Sequence, residues 1–284
     1  MHDICETLGN SEIQHGPFSN RIYLMKLDKG DLPGIIEELN KRAEKKGYTK
    51  IFAKVPAEVE REFTSRGYSR EAYIPGFYKG EEGAAFLGKY FDPVRAEAEN
   101  REELEKVLYL SGGKSRENPE KAALPEGFSL LKCEPEHLGA MSQLYRIVFP
   151  SYPFPIHDPG YLEETIHSHV DYFGIVKDGA LAALSSAEMD IKGSNVEMTD
   201  FATLPEFRGL GLAQFLLQEM EEAMILKGMR TAYTIARAIS PGMNITFSRR
   251  GYQYGGTLVN NTQISGSIES MNIWYKSLQV SGRG

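Results

Sequence analysis

The most informative part of the sequence is VEMTDFATLPEFRGLGLA, residues 196–213. Its first part is interpreted as a strand that ends at Leu204 and Pro205, and its last six residues form a glycine-containing turn. Glycines at the start of a helix leave backbone N–H groups free, and these add to the positive end of the helix dipole. The stretch therefore predicts an anion site between a strand and a long helix. The helix is predicted from apolar residues at helical spacing: Leu212, Phe215, Leu216, Met220, Ala223 and Met224.

The turn belongs to neither of two well-known phosphate-binding loops. No Gly-Lys-Ser/Thr follows it, as a P-loop requires, and Gly209 and Gly211 do not begin a G-x-G-x-x-G pattern. From these residues alone, a plain strand, turn and helix without a ligand stays open as the alternative.

The composition is that of a globular protein and argues against several classes of partner. Of 284 residues, 41% are hydrophobic and 25% charged, and the net charge of −7 argues against nucleic acid, which needs a basic surface. No apolar run approaches the ~18 residues of a membrane span, and the N-terminus lacks a signal-peptide pattern. The only two cysteines, Cys5 and Cys133, fit a reducing compartment. We therefore expect a cytoplasmic protein without membrane or nucleic-acid partners.

A segment rich in Gly, Ser, Pro and charge, 111–127, is interpreted as a linker between an N-terminal part, 1–110, and a C-terminal part, 128–284. Strands separated by helices predict a helix-covered sheet in each part. In the N-terminal part we predict strands at 21–27, 50–55, 71–78 and 84–91, and helices at 32–46, 58–66 and 95–110. In the C-terminal part we predict strands at 128–133, 171–176, 180–189, 196–204, 230–236, 252–260 and 271–276, and helices at 136–148, 161–169, 211–227 and 242–250.

The two parts share a short pattern, FTSRGY at 63–68 and FSRRGY at 247–252. One interpretation is two ordinary helix ends, at which Gly67 and Gly251 adopt the left-handed conformation. The other is that the N-terminal part is a degenerate half-copy of the C-terminal fold. Because the N-terminal part has no glycine-rich phosphate loop, we expect it to be non-catalytic.

The spacing Arg-x-x-Gly-x-Ala at 208–213 resembles the pyrophosphate loop of the GNAT acetyltransferases, and the resemblance covers most of 128–284. It implies an α/β (α+β) protein with a GNAT fold, in which a mixed central sheet has helices on both faces and follows a smaller α/β N-terminal domain. It also implies acetyl-CoA as co-substrate. The residues that it assigns to acetyl-CoA are Phe201, Ala202, Thr203, Arg208, Gly209, Leu210, Gly211, Leu212, Ala213, Asn244 and Phe247.

A closer resemblance, over nearly the whole chain, is to the β-lysine N-acetyltransferases, which make Nε-acetyl-β-lysine, a compatible solute. It is carried by IPGFY at 74–78, SYPFPI at 151–156, EMTD at 197–200, AYTIARA at 232–238, VNNTQI at 259–264 and MNIWYK at 271–276.

Two carboxylates stand just before the loop. On a regular strand Glu197 shares its face with Thr199, whereas Asp200 points the other way unless a bulge intervenes. GNAT sheets commonly splay or bulge here, which frees backbone donors for the acetyl carbonyl. The resemblance implies that Glu197 is the base, directly or through water, and that Asp200 anchors an ammonium group. A surface-facing carboxylate is the alternative.

The general acid departs from the family pattern, which often has a tyrosine at the position of Phe247. Either another tyrosine serves, from among Tyr233, Tyr252 and Tyr254, or no acid is needed, because a thiol pKa near ~8.5 makes the thiolate a tolerable leaving group. Of the three, Tyr254 is the predicted catalytic residue.

For the amine substrate, we predict Arg237 as the partner of a carboxylate, because arginine binds carboxylates with two hydrogen bonds. A surface arginine that pairs with an acid is the alternative, and Glu188 is similarly ambiguous. Tyr152 and Phe154 are predicted to line a pocket for an alkyl chain, or else to pack on the sheet.

No metal is expected, because His167 and His169, two residues apart, do not share a helix face. The predicted function is acetyl transfer from acetyl-CoA to a primary amine, specifically the ε-amine of β-lysine. The alternatives are a polyamine, another amino acid or a protein lysine as acceptor, and a non-catalytic acetyl-CoA sensor. A homodimer is left open.

Overall fold

The computed structural model of the chain describes residues 3–113 and 121–278. The described strands form one open sheet of thirteen, in the order β1-β2-β3-β4-β6-β5-β12-β13-β11-β10-β9-β8-β7. In the N-terminal part the elements are β1 (Ile4–Leu8), β2 (Ser11–Gly16), β3 (Arg21–Lys26), α1 (Gly34–Lys46), β4 (Lys50–Pro56), α2 (Glu60–Thr64), β5 (Ser69–Tyr78), β6 (Glu82–Tyr90) and α3 (Arg101–Gly112). In the C-terminal part they are β7 (Phe128–Lys132), α4 (Leu138–Val148), α5 (Pro159–Ile166), β8 (Val170–Lys177), β9 (Ala180–Asp190), β10 (Asn195–Thr203), α6 (Leu212–Leu226), β11 (Thr231–Arg237), α7 (Pro241–Arg249), β12 (Gln253–Ile264) and β13 (Ser267–Ser277).

The predicted fold class is confirmed: the sheet is mixed, and helices cover both faces of its C-terminal half. α6 buries Leu216 and Met220 against one face of β8, β9 and β10, and α4 buries Met141 and Leu144 against the other. Trp274 lies in the same core cluster as Leu216 and Met220.

Every predicted strand and helix is present, and the structure differs from the prediction in three places. β1 and β2 were not predicted: β1 is an edge strand without a buried side chain, and β2 buries polar residues beside Ile13, so neither has an apolar alternation. β12 continues to Ile264 and forms a hairpin with β13. The helix predicted at 95–110 begins only at Arg101, after a short 3-10 turn at Pro93–Ala96.

The two halves of the sheet have the same strand order. In one half β3 is parallel to β4 and is connected to it through α1, and in the other β10 is parallel to β11 and is connected to it through α6. The order continues as β6-β5 in the first half and as β13-β12 in the second. FTSRGY and FSRRGY end α2 and α7 alike, with Gly67 at φ +85° and Gly251 at φ +81°. The shared strand order and helix ends support the interpretation of the N-terminal part as a half-copy of the C-terminal fold. The division into domains stays a prediction.

The halves join where β5 pairs with β12, at Ala72 and Gly256. Only glycine fits at this junction, because a Cβ on Gly256 would lie 2.2 Å from the Glu71 carbonyl oxygen. Buried cations strengthen the junction: Lys50 donates to Val259 O at 2.7 Å, and Arg95 donates to Asn260 O at 2.7 Å. The N-terminal half is therefore fixed against the C-terminal strands.

The predicted linker 111–127 is described only in part. Ser111 and Gly112 are the last residues of α3, and residues 114–120 lie outside the described residues. α3 packs on α7, where the Ser248 hydroxyl donates to Ser111 O at 2.7 Å.

Candidate active site

A cavity lies between the two halves of the sheet. Strands β3 and β4 of the N-terminal half form one wall, and β9, β10, β11 and the loop before α5 form the opposite wall. An aromatic and aliphatic cluster that includes Tyr23, Phe52, Tyr233 and Met271 holds these walls together. The polar residues that line the cavity are Arg21, Tyr23, Lys54, Tyr152, Glu188, Glu197, Thr199, Asp200, Thr234, Arg237, Ser240, Asn261 and Thr262.

Two irregularities of β10 open the sheet beside this cavity. β10 pairs with β11 only as far as Glu197 and Tyr233, although β10 continues to Thr203 and β11 to Arg237. The pairing of β10 with β9 shifts between Thr199 and Ala202. Asp200 lies in this bulge with φ +55°, so both predicted carboxylates face the cavity. The separation of β10 from β11 leaves backbone donors of β10 without a strand partner.

Glu197 is the most perturbed acid of the cavity. Burial, and then the neighbouring Glu188 directly opposite on β9, raise its pKa to about 8. The Lys54 ammonium and the Tyr233 hydroxyl act in the other direction. A carboxylate with a pKa near neutrality is suited to accept a proton from a substrate at physiological pH.

Asp200 is held in place by two hydroxyl groups. Ser186 and Tyr152 each donate to it at 2.5 Å, one to each carboxylate oxygen. Burial raises the pKa of Asp200, although these two hydrogen bonds oppose the shift. Tyr152 therefore lies in the cavity, as predicted, but its hydroxyl is used to position Asp200. Phe154 lines the same wall.

Two predicted substrate residues already have ionic partners. Arg237 forms two hydrogen bonds with Glu269, at 2.8 and 2.6 Å, which is the two-point geometry that was predicted for a substrate carboxylate. Glu188 lines the cavity, is half-exposed, and lies 3.7 Å from the His169 ring. The alternative interpretation of Arg237, an arginine that pairs with an acid of the protein, is what the structure shows.

The loop predicted to bind a phosphate is open and left-handed at both glycines. Gly209 has φ +83° and Gly211 has φ +77°, and no atom lies within 4 Å of an added Cβ at either position. No side chain caps the first turn of α6, so its N–H groups are available to an anion. Arg208 and Leu210 are exposed, whereas Leu212 is buried beneath the loop.

Phe201 packs edge-on against Phe247, with ring centroids 5.6 Å apart, at the side of the cavity next to α7. Ala202 is buried under α4, and Thr203 O accepts from Arg208 Nε at 3.3 Å.

Asn244 and Tyr254 are not brought to the cavity. Asn244 is 0% exposed, and its amide donates to Arg237 O and Ser240 O and accepts from Asn272 and Trp274. Its side chain therefore fixes α7 to β11 and β13, and in this arrangement it is not free to contact a cofactor. Tyr254 is 43% exposed on β12, bonded to Thr257 at 2.6 Å, and it does not line the cavity.

The other two candidate tyrosines do not line the cavity either. Tyr252 is buried against Phe247, with centroids 5.0 Å apart, and Tyr233 lies against Lys54 at 3.2 Å. Burial raises the pKa of each of them well above its ordinary value.

The cavity residues Arg21, Tyr23 and Lys54 were not predicted, because the N-terminal part was expected to be non-catalytic. A signal was present: in β3, Ile22 and Leu24 face the core, so that Arg21 and Tyr23 share the opposite face. A buried arginine on a strand is unusual unless its charge has a binding partner.

The chain is similar to known acetyltransferases. The acetyltransferase (GNAT) family model matches residues 141–242. A protein of Methanococcus maripaludis named beta-lysine N(6)-acetyltransferase is 42% identical over 97% of this chain and 99% of its own length. One of the same name from Methanosarcina mazei is 34% identical over 81% of this chain and 91% of its own length. Among solved structures, the ribosomal-protein-S18-alanine N-acetyltransferase from Escherichia coli is 15% identical, with a TM-score of 0.48, and covers 55% of this chain and 97% of its own.

None of the helices within residues 3–113 and 121–278 combines the length and the apolar character that crossing a membrane requires.

Proposed function

Because the chain belongs to the GNAT acetyltransferases and, within them, to the family of the β-lysine N(6)-acetyltransferases, we propose that it transfers the acetyl group of acetyl-CoA to the ε-amine of β-lysine. The observation that carries this proposal is Glu197, a partly buried carboxyl group with a raised pKa beside the opened edge of β10. A cavity with Glu188, Asp200 and a cationic opposite wall suits a substrate with two ammonium groups and one carboxylate.

The residues around the loop fit acetyl-CoA. Its pyrophosphate would take the free N–H groups at the start of α6, since Gly209 and Gly211 leave room and no side chain caps the helix. Its acetyl group would lie where β10 separates from β11, and backbone donors there would stabilise the charge that develops on the carbonyl oxygen. Acetyl-CoA supplies an activated acyl group, so no covalent link to the protein is needed.

The protein contributes to the chemistry by accepting one proton from the substrate amine. The substrate amine has a pKa near ~10.4 in water and must lose a proton before its nitrogen can form the new C–N bond. Glu197 accepts this proton, directly or through water, and Asp200 binds an ammonium group. The thioester C–S bond breaks as the C–N bond forms, the nitrogen releases its second proton to solvent, and the products are an amide and CoA.

The leaving thiolate takes its proton from solvent in this proposal. Phe247 stands where the family often has tyrosine, and Tyr254 is remote from the cavity. A thiolate with a pKa near ~8.5 leaves without an acid at little cost.

The N-terminal residues 1–110 are proposed as a non-catalytic half that completes the acceptor pocket, and 128–284 as the acetyltransferase half. The support is that β3 and β4 contribute one wall of the cavity.

The test is release of CoA thiol with β-lysine, α-lysine, spermidine and a peptide lysine, with mass spectrometry of each product. We expect the highest kcat/KM with β-lysine and acetylation of its ε-nitrogen. Binding of acetyl-CoA without turnover of any amine would identify a sensor instead. A preference for spermidine would make the acidic residues of the cavity a polyamine site.

A further inference from the structure

Three residues that line the cavity each have one buried polar side-chain atom without a hydrogen-bond partner among residues 3–113 and 121–278: Arg21 Nε, Asn261 Oδ1 and Thr262 Oγ1. These residues are 4%, 2% and 4% exposed. Buried polar groups are nearly always paired, so three orphans on neighbouring residues of one cavity indicate the position of a missing polar partner. The donor and acceptor types describe that partner: it must accept from a guanidinium group and donate to an amide oxygen.

Arg21 lacks an ionic partner within the described part of the chain. Its Nη1 donates to Asn261 O at 2.7 Å, and its guanidinium lies 5.3 Å from the Tyr23 ring and 5.7 Å from the Phe52 ring. No carboxylate oxygen of a described residue lies within 4 Å of it. Burial lowers the pKa of Arg21 to about 10, so that it remains a cation at neutral pH.

The other cations near the cavity are less suited to this role. Lys54 lines the cavity and donates to the Tyr233 hydroxyl at 3.2 Å, but its charge acts on Glu197, at the position of the base. Arg237 pairs with Glu269, and Lys50 pairs with Glu71. Arg95 is also buried, but all three of its donating nitrogens have partners, in Asn260 O, Thr49 Oγ1 and Ser19 O. Arg21 is therefore the cation of the cavity, away from Glu197, that an anionic ligand would complete.

We propose that Arg21, supplied by the N-terminal half, binds the carboxylate of the amine substrate, and that Thr262 and Asn261 complete this subsite. This inference rests on the proposed acetyl transfer to an amino acid. The Thr262 hydroxyl donates to the same carboxylate, and Asn261 Oδ1 accepts from the ammonium group next to it. In β-lysine one methylene separates the carboxylate from the carbon that bears this ammonium, so neighbouring residues of β12 reach both groups.

The proposed carboxylate subsite lies away from Glu197, because the carboxylate and the ε-amine are at opposite ends of β-lysine. Arg21 and Tyr23 share one face of β3, two residues or about 7 Å apart. Tyr23 is close enough to Glu197 for the two to influence each other's charge, whereas the charged and titratable groups that act on Arg21 are Tyr23, Asp3, Arg95 and Glu71. A substrate whose carboxylate is at Arg21 thus extends its distal amine along β3 toward Glu197.

The test compares β-lysine with 1,4-diaminopentane, which is the same molecule without its carboxyl group. Arg21→Gln should lower kcat/KM for β-lysine by about 30-fold or more, mostly through KM, and change that for 1,4-diaminopentane by no more than about threefold, since only β-lysine uses the cation. Arg95→Gln is the matched control, because it removes another buried arginine that bonds the adjacent carbonyl of β12 but does not line this cavity. It should affect both substrates alike.

An equal loss on both substrates in Arg21→Gln would overturn the proposal, because it would show a structural role. If Arg21→Gln does not fold, as judged by loss of acetyl-CoA binding, Thr262→Val decides: a selective loss with β-lysine supports the subsite, and an equal effect on both substrates overturns it. If the wild type uses 1,4-diaminopentane as well as β-lysine, acetyl transfer stands and carboxylate recognition fails. If it acetylates neither amine, the proposed function fails first.

Discussion

Replacement of Glu197 by glutamine should abolish most activity and at the same time stabilise the protein at alkaline pH. The shape of the side chain is kept, but the proton acceptor is lost, so kcat/KM for the amine should fall about 10²- to 10⁴-fold. In the wild type, kcat/KM should rise with pH through about 8, the pKa to which burial and Glu188 raise this carboxyl group. In Glu197→Gln, kcat/KM should not show this rise with pH.

The stability effect follows from the direction of the same pKa shift. A carboxyl group whose pKa is raised by folding stabilises the native state fully at pH values below the unfolded pKa, and this contribution is lost as the pH rises through the folded pKa. For Glu197 the window runs from its ordinary value of 4.5 to about 8. If this whole shift were expressed, it would amount to about 5 kcal/mol. Because the side chain faces a cavity and is only partly buried, about 2–3 kcal/mol is expected.

The measurement is urea unfolding of wild type and Glu197→Gln at pH 5, 7 and 9, with Glu222→Gln, an exposed change on α6, as the control. The stabilities of wild type and Glu197→Gln should diverge as the pH rises, with the variant more stable at pH 9. Parallel pH profiles of stability would refute the burial of a titrating Glu197, and retained activity would refute its role as the base.

Three further substitutions test other parts of the site. Gly211→Asp should weaken acetyl-CoA binding by about tenfold or more in calorimetry, because it places a carboxylate in the anion site. The control is Gly228→Asp, at the other end of α6, where the glycine has a similar φ of +78° and equally open space; this variant should bind acetyl-CoA normally. Equal affinities of the two variants for acetyl-CoA would contradict the loop assignment. Asp200→Asn should lower kcat/KM for β-lysine by about 30-fold with unchanged acetyl-CoA affinity, and near-normal kinetics would exclude an ammonium anchor there. Arg237→Leu leaves Glu269 without its partner and should cost about 1–3 kcal/mol in the free energy of unfolding; a loss of activity confined to carboxylate-bearing substrates would restore its predicted role.

The elements that local sequence determines were predictable. Apolar residues at helical spacing and two glycines suffice to predict α6 and its loop. The sequence predicted that Asp200 would share a face with Glu197 only if β10 has a bulge, since nothing in EMTD itself requires a left-handed residue at that point. It became visible through the pairing of β10 with β9, which is a property of two strands.

Long-range pairing set the limit of what the sequence could predict. Arg237 has the same chemistry whether it binds a substrate or Glu269, 32 residues away, and only the fold brings Glu269 to it. Asn244 matched a family position, but its amide is fully used by the backbone at Arg237 and Ser240 and by Asn272 and Trp274. Arg21 is more than 170 residues from Glu197 in sequence, so its place in the same cavity depends on the junction of β5 with β12.

Acetyl transfer in a cavity enclosed by both halves of the sheet is tested most directly by a crystal structure with CoA and Nε-acetyl-β-lysine. We expect the acetylated nitrogen beside Glu197, where β10 separates from β11, and the product carboxylate within hydrogen-bonding distance of the Arg21 guanidinium. A product bound outside this cavity, or with its carboxylate on Arg237 in place of Glu269, would contradict the proposed arrangement.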